Sequence, residues 1–407
     1  MMTSPDDQQP SRFNLSRLNR FYVYAAFAAC WIAASAGLLA TRIGDQRLEM
    51  GKGLIFLAVS SVLLYLLFDV WRKSAAVAHS AYARQAHFVL LLAALVMPLL
   101  GFALVKVHLP QAERDAYENL EAVARLKGDQ VENWLAERRG DGLVLAADRD
   151  FAAHVERLVR QPRDASLLKP VQARFDVLRI ANGYDSIVLL DANGQLLISS
   201  GERGDPHQAQ QSLLRHALDS RQVQRGEIYR DGQGSVHLDW AIPVTAADAQ
   251  GERAVAVVVL RTALERFLFP QIQTWPAASV SGETLLVREE GGDALYLNQL
   301  RHRTEAPLSL RLPMTNSGTN AGLPEVAALR ASGSGTMQGE DYRGVRVVAA
   351  YRPVSGTSWR VVAKSDRDEL LVPLRSMVFW IGLTALSTIF VIVVGQYVFR
   401  RCVEHKQ

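Results

Sequence analysis

Cysteine is almost absent from this chain. Only two cysteines occur in 407 residues, Cys30 and Cys402, and they stand near opposite ends. A disulfide framework is therefore excluded, and with it a small secreted scaffold or a site built from cysteine ligands. Charged residues make up 21% of the chain and apolar residues 49%. This balance excludes a disordered chain and also a chain that is embedded in a membrane throughout.

A strong charge of one sign is also missing. The formal net charge is only +4, and it is unevenly distributed. Residues 108–372 carry 31 Lys and Arg against 35 Asp and Glu, so this region is slightly acidic. The basic excess belongs to short segments beside apolar runs. A nucleic-acid partner therefore has little support from the charge, and we expect none.

Long apolar runs, in contrast, are present. A helix needs about 20 apolar residues to cross about 30 Å of hydrocarbon. On this criterion the sequence predicts four transmembrane helices, at about 21–40, 53–71, 87–107 and 374–399. The first run could instead be a signal peptide that is cleaved near Ala34-Ser35-Ala36, and the second could be a buried helix of a soluble domain.

Positive charges beside these runs predict their orientation. With residues 1–20 inside, the segments 1–20, 72–86 and 400–407 hold nine Lys and Arg, whereas the outside loop 41–52 holds three. This asymmetry predicts a multi-pass protein of the inner (cytoplasmic) membrane, with a cytoplasmic N-terminus at 1–20 and a cytoplasmic tail at 400–407. Residues 108–372 are then expected to be extracytoplasmic, or periplasmic.

The central region begins with a long predicted helix over 110–139. Its apolar residues recur at helical spacing, and they are Tyr117, Leu120, Ala124, Val131, Trp134 and Leu135. Because this stripe is longer than one small module needs, the sequence predicts a parallel homodimer through 110–139. The alternative is that the stripe is buried entirely against the sheets of its own chain.

Two series of strands follow, in the same order. The first has a hairpin at 186–199, a helix at 207–220 and strands at 226–230, 236–244 and 253–262. The second has a hairpin at 283–300, a short helix at 324–331 and strands at 335–341, 346–354 and 359–365. We interpret the two series as a duplicated module, with one copy at about 140–265 and the other at about 266–366.

The arrangement resembles the double Cache (tandem PAS-like) sensor domains of bacterial signal-transduction receptors. The phrases that carry the resemblance are FLFPQIQTWP at 267–276, ETLLVR at 283–288, LNQLRH at 297–302, DYRGV at 341–345 and WRVVAK at 359–364. The resemblance implies an α+β fold with a long N-terminal helix and two five-stranded antiparallel sheets, exported between the third and fourth membrane helices. Such domains are the inputs of histidine kinases, diguanylate cyclases and chemoreceptors.

Catalytic motifs are missing. No P-loop, GxSxG or HExxH pattern occurs, and no cofactor or metal is expected. Glu290-Gly291-Gly292-Asp293 is similar to part of a cyclase signature, but a hairpin turn is the better interpretation. His207, His216 and His237 match no tight metal-ligand spacing. The predicted cytoplasmic segments are too short to bury a core, so the chain is not expected to be an enzyme.

The resemblance implies a ligand pocket in the first module, on the sheet face away from the long helix. Alternation along 236–244 puts Leu238, Trp240 and Ile242 on one face, and His237 and Asp239 on the other. The candidate ligand-binding residues are Arg225, Tyr229, Arg230, His237 and Asp239. Arginine can bind a carboxylate through two parallel hydrogen bonds, which suggests a small polar or anionic metabolite. A solvated sheet face is the alternative.

The sequence thus predicts a membrane-bound extracytoplasmic sensor that binds a small ligand in its double Cache domain and transmits the signal across the membrane. A separate cytoplasmic or membrane signalling protein would be its partner. The alternative is the N-terminal input half of a histidine kinase or diguanylate cyclase whose catalytic domain is absent from this chain. A membrane enzyme is a third and more remote interpretation.

Overall fold

The computed structural model describes residues 81–201, 208–248, 251–305, 307–314, 322–370, 372, 378–379, 382–383 and 386. The chain divides into two compact units. One comprises Met1–Val105 with Ser376–Gln407, and the other is Lys106–Arg375. The second unit contains both β-sheets and all the contacts discussed below.

Seven helices and twelve strands are present in the described part of the chain. The helices are α1 (Ala81–Ala147), α2 (Arg149–Arg160), α3 (Ala165–Asn182), α4 (Gln208–Ser220), α5 (Leu268–Gln273), α6 (Pro324–Arg330) and α7 (Arg367–Leu370). The strands of the first module are β1 (Ser186–Asp191), β2 (Leu196–Gly201), β3 (Gln224–Arg225), β4 (Tyr229–Arg230), β5 (Val236–Asp248) and β6 (Gly251–Ala263). Those of the second are β7 (Glu283–Glu290), β8 (Asp293–Tyr296), β9 (Arg311–Pro313), β10 (Gly335–Glu340), β11 (Arg346–Pro353) and β12 (Arg360–Asp366).

Local capping explains where the helices of the first module begin and end. The carboxylate of Asp148 accepts a hydrogen bond of 2.9 Å from the backbone N–H of Phe151 and so caps the start of α2. Asp164 caps α3 in the same way, through the N–H of Ser166. Gly183 ends α3 with a positive φ of 69°, a conformation that favours glycine.

The first sheet has the strand order β2-β1-β6-β5-β3, and β4 also pairs with β5. All of its pairings are antiparallel. One face carries Leu238, Trp240 and Ile242 and packs in the main hydrophobic core with α1, α2 and α3. The other face carries Ala241, Val257 and Val259 and is covered by α4. The predicted division of 236–244 into two faces is therefore confirmed.

The second sheet has the order β10-β11-β12-β7-β8-β9, again with antiparallel pairing. Val348, Ala350 and Ala363 face the segment of α1 that contains Leu120 and Ala124. Leu285, Val287 and Val362 form the opposite face, with Ala328 of α6. The turn at Gly291-Gly292 is the hairpin that the sequence predicted, since Glu290 pairs with Asp293 and both glycines have positive φ.

Both sheets have six strands rather than the predicted five. In the first sheet, the single strand predicted at 226–230 is replaced by the short strands β3 and β4, which pair separately with β5. In the second sheet, the sequence analysis missed β9, which lies in a stretch rich in Pro, Ser, Gly and Asn. A three-residue strand is too short to show alternation, so the sequence gave no periodic signal for it.

The predicted architecture of four transmembrane helices is wrong on the structural evidence. In the part of the chain that the structure describes, no helix is long and apolar enough to cross a membrane. The stretch at 87–107 lies within α1, whereas 21–40 and 53–71 lie outside the described residues, as does most of 374–399. A long apolar run is required for a transmembrane helix, but hydropathy alone does not establish one.

The apolar stripe of α1 is buried within its own chain. Leu120 and Ala124 pack on the second sheet, while Val131, Trp134 and Leu135 pack in the main core. This burial removes the observation that suggested a homodimer, because the stripe is used to dock both modules on one helix. The homodimer itself stays a prediction.

Candidate functional site

A buried ion pair lies on the face of the first sheet that carries Ala241 and Val259. Asp239 of β5 and Arg261 of β6 stand directly opposite each other in the register of the two strands. The guanidinium of Arg261 donates two hydrogen bonds to the Asp239 carboxylate, from Nε at 3.1 Å and from Nη2 at 3.2 Å. Both side chains are at least 95% buried. Such a bidentate pair fixes the orientation of both groups.

Tyr229 and His237 extend this pair into a polar row. The Tyr229 hydroxyl donates to Oδ2 of Asp239 at 3.0 Å, and the guanidinium of Arg261 lies over the Tyr229 ring. The ring centroids of Tyr229 and His237 are 5.8 Å apart. Nε2 of His237 is 2.9 Å from a carboxylate oxygen of Asp231, in the turn before β5. The polar row therefore comprises Asp231, His237, Asp239, Tyr229 and Arg261.

Burial and charge shift the pKa values in this row in different directions. Burial raises the pKa of Tyr229 well above its usual range, and the negative charge of Asp239 adds to the effect. Burial alone would lower the pKa of Arg261, but the adjacent Asp239 carboxylate raises it overall. Burial alone would raise the pKa of Asp231, but hydrogen bonds from His237 and from backbone N–H groups lower it.

Three buried polar atoms, on this face of the first sheet and on the helix that covers it, have no hydrogen-bond partner within the described structure. They are Oγ of Ser186, Nδ1 of His237 and Oε1 of Gln210. Ser186 of β1 is the cross-strand neighbour of Arg261, so it lies on the same sheet face. Gln210 is buried on α4, the helix that covers this face. Buried polar groups are normally paired, so unpaired groups of both donor and acceptor type suggest a place for a polar ligand.

The other two candidate residues, Arg225 and Arg230, contact the second module instead. The guanidinium of Arg225 lies 4.8 Å from the ring centroid of Trp359, and burial lowers the pKa of this arginine. Nη2 of Arg230 donates to Oγ of Ser309 at 3.0 Å. Between them, Glu227 accepts a hydrogen bond of 2.9 Å from Arg288 of β7. The segment 224–230 is thus the junction between the two modules.

The structure therefore divides the five candidates. Tyr229, His237 and Asp239 come together, and Arg225 and Arg230 turn away from them. The sequence analysis missed Arg261, Asp231 and Ser186. Only the pairing of β5 with β6 could have identified Arg261, because it lies 22 residues from Asp239.

An open groove of about 490 Å³ lies elsewhere, between the end of α1 and α3. Its lining is mainly apolar and includes Val144, Leu145, Val177 and Leu178. It shares no residue with the polar row. The chemistry of this groove is that of an apolar surface, and it offers little to orient a polar ligand.

Comparison with known proteins gives structural neighbours only. No family profile matches the sequence, and no curated protein matches it. The sensory domain of the Campylobacter jejuni chemoreceptor Tlp3 (CcmL) is 12% identical and has a TM-score of 0.46, over 64% of this chain and 97% of that one. The ligand-binding domain of the Pseudomonas fluorescens chemoreceptor CtaA, in complex with L-alanine, is 15% identical with a TM-score of 0.41, over 61% and 96%.

The periplasmic sensory domain of the Campylobacter jejuni chemoreceptor Tlp1 is also similar. It is 12% identical and has a TM-score of 0.46, over 64% of this chain and 99% of that one. These neighbours are of the class that the sequence resembles, sensory domains of bacterial receptors. Because the TM-scores lie below 0.5, the function of this chain is inferred below from its own contacts.

Proposed function

We propose that Lys106–Arg375 is a sensory domain whose first module binds a small polar metabolite between α4 and the first sheet. The observation that carries this proposal is the set of unpartnered buried polar atoms: those of Ser186 and His237 beside the Asp239–Arg261 pair, and that of Gln210 on the covering helix α4. A ligand that both donates and accepts hydrogen bonds would satisfy them. An anionic ligand has less support, because Arg225 and Arg230 are engaged with the second module.

The location we propose for this domain is outside the cytoplasm. The similar receptor domains are described as sensory, and one of them as periplasmic. Binding without turnover is the activity that this proposal predicts, since a sensor needs only to distinguish the bound state from the free state.

The signal would leave the site through the segment 224–230. Tyr229 donates its hydrogen bond to Asp239 inside the site, while its neighbour Arg230 and the nearby Glu227 are bonded to the second module. A ligand that moves the Asp239 carboxylate would therefore move a segment that is already attached to β7 and to the loop before β9. The second module can change between two arrangements, and a ligand can shift the equilibrium between them only by as much as its affinity differs between the two.

A thermal-shift screen of the full chain against small polar metabolites tests this function. At 100 times its dissociation constant, a ligand adds about 2.7 kcal/mol to the stability of the native state. Ser186→Ala should abolish the shift and leave the melting temperature of the free protein unchanged or slightly higher, because the hydroxyl that it removes is buried without a partner.

Thr262→Val is the matched control for this experiment. Thr262 is also buried with an unpartnered hydroxyl, but it follows Arg261 in β6 and so faces the opposite side of the sheet. Its substitution should leave the ligand shift intact. Equal shifts in both variants would contradict the site, and the absence of any shift with polar metabolites would contradict the function.

A further inference from the structure

The second module contains a buried cluster of charges that the proposed function does not use. Lys364 of β12 and Glu325 of α6 are fully buried, and Glu283 of β7 and Asp341 are 3% and 2% exposed. Glu283 and Lys364 stand opposite each other in the sheet register. Three carboxyl groups thus face one ammonium group in a volume from which water is excluded.

The ammonium group of Lys364 lies at different distances from the three carboxyl groups. Its Nζ lies 2.8 Å from Oδ2 of Asp341, 3.2 Å from Oε2 of Glu283 and 3.6 Å from Oε1 of Glu325. It also lies 3.8 Å from the centroid of the Tyr342 ring. The ammonium group therefore interacts more strongly with Asp341 and Glu283 than with Glu325, because Coulomb attraction falls with distance. Its hydrogen bond also goes to Asp341.

Those two carboxylates have further donors. Glu283 accepts hydrogen bonds from the Tyr342 hydroxyl at 2.8 and 2.9 Å and from the backbone N–H of Arg301 at 2.6 Å. Asp341 accepts hydrogen bonds from Nε of Arg343 at 2.6 Å and from the backbone N–H of the same residue at 2.8 Å. Both carboxylates therefore have hydrogen-bond donors besides Lys364, and those to Asp341 favour its ionised form.

Glu325 is different. Neither of its carboxyl oxygens has a hydrogen-bond partner, although the side chain is completely buried. The hydroxyl of Tyr296, from β8, is buried without a partner as well. Its ring lies edge-on to the ring of Tyr342, with the centroids 5.9 Å apart, which places Tyr296 beside the cluster. An ionised carboxylate in such a position would cost several kcal/mol of desolvation.

The pKa values of Asp341 and Glu325 are shifted in opposite directions. Burial would raise the pKa of Asp341, but Lys364 and Arg343 together lower it below its usual value. Burial raises the pKa of Glu325. The ammonium of Lys364, 3.6 Å away, and the backbone N–H of Glu325 itself offset this only in part, while Asp341 and Glu283 raise it further. Two acidic groups whose pKa values are shifted apart in this way hold different protonation states at the same pH.

We propose that Glu325 is a proton-binding site of the second module, and that α6 stays docked on the second sheet only while this carboxyl group is neutral. The groups that face it are Glu283, Tyr296, Asp341, Tyr342 and Lys364, from the strands and turns on which α6 packs. The seven-residue helix also packs through Val326 and Ala328, and its hydrogen bonds from the sheet lie at its C-terminal end, where Arg360 of β12 donates to the carbonyl oxygens of Ala328 and Ala331. Loss of the proton would therefore release the N-terminal end of α6 first.

The direction of the pH dependence follows from linkage. The folded state holds a proton on Glu325 at a pH where the unfolded chain has lost it. The stability contribution is complete below the ordinary glutamate pKa of about 4.3, and it is lost as the pH rises through the raised value in the folded protein. We therefore expect the melting temperature of the full chain to fall as the pH rises above the ordinary glutamate range.

Infrared spectroscopy of the full chain at neutral pH tests the protonation directly. The wild-type protein should show the carbonyl band of a protonated carboxylic acid, and Glu325→Gln should lose it. Glu340→Gln is the matched control, because Glu340 is exposed at the end of β10, next to Asp341. This control should keep both the band and the alkaline loss of stability. The protection factors of the backbone amides of 325–331, which correct for the intrinsic rise of the exchange rate with pH, should fall with rising pH in the wild type and not in Glu325→Gln.

Two results would overturn the proposal. One is a carbonyl band that persists in Glu325→Gln, and the other is a melting temperature with the same alkaline fall in that variant as in the wild type. Glu325→Met, which removes the polar atoms and keeps the length of the side chain, provides a second variant if the glutamine protein folds poorly. It should also lack the band and the alkaline fall.

Discussion

At the scale of single residues, the surroundings of a charged group decide its role. Arg225, Arg230 and Arg261 belong to the same module, yet only Arg261 reaches the polar row. Arg225 stacks on an aromatic ring and Arg230 bonds to a serine of the second module. Residue type alone suggested anion binding for the first two. Their contacts indicate that they hold the two modules together.

The Asp239–Arg261 pair gives a prediction at this scale. Asp239→Ala removes one member of a buried pair and leaves the Arg261 guanidinium without its carboxylate, which should cost about 3–5 kcal/mol of unfolding free energy. The double variant Asp239→Leu with Arg261→Met replaces the pair by apolar groups and should recover most of this loss. Urea unfolding of the wild type, Asp239→Ala and the double variant measures both quantities. A double variant as unstable as Asp239→Ala would contradict this account of the pair.

At the scale of elements, α1 is attached to the second module at a glycine. Arg352 of β11 crosses α1 at Gly128 and donates hydrogen bonds to the carbonyl oxygen of Arg125, to Asp129 at 2.7 Å and to Glu132 at 3.2 Å. A Cβ atom on Gly128 would lie 2.6 Å from Cδ of Arg352. The glycine therefore permits the close approach, although it weakens the helix by about 1 kcal/mol relative to alanine.

A double-mutant cycle tests this attachment. In an Arg352→Ala background, Gly128→Ala should raise the unfolding free energy by about 0.8–1 kcal/mol, the gain expected from helix propensity. In the wild-type background this gain should be cancelled or reversed, because the added methyl group displaces the guanidinium from Asp129 and Glu132. The coupling free energy is read from chemical denaturation of the four proteins. Equal effects of Gly128→Ala in both backgrounds would show that Arg352 does not depend on the glycine.

Alternation of apolar residues predicted most strands close to their observed positions, but it could not predict the pairing of Asp239. Counting back from the β5–β6 turn, where Asp248 pairs with Gly251, an uninterrupted hairpin would place Asp239 opposite Leu260. A bulge between Val244 and Thr245 shifts the register by one residue and brings Arg261 opposite Asp239 instead. No local pattern marks this bulge, so the candidate site lacked its central arginine.

At the scale of the second compact unit, the two modules share one hydrophobic core. The main cluster contains Trp240 and Leu260 of the first module together with Leu286 and Trp359 of the second. Trp359 is fully buried, and Arg225 lies over its indole ring. The sequence predicted a duplication, which suggests two independent cores. The joining of the two cores into one depends on contacts between residues more than 100 positions apart. Such contacts leave no periodic signal in the sequence.

A shared core predicts that the two modules unfold together. Trp359→Ala should lower the unfolding free energy by about 3–5 kcal/mol, because it leaves a large cavity where the modules meet. Native-state hydrogen exchange should then show equal losses of protection at Leu189 in β1 and at Val348 in β11, which belong to different sheets. Val280→Ala, at a position that is 83% exposed, should change neither. If protection at Leu189 stayed at its wild-type level while that at Val348 fell, the modules would be independent folding units. The first module could then bind its ligand without any mechanical effect on the second.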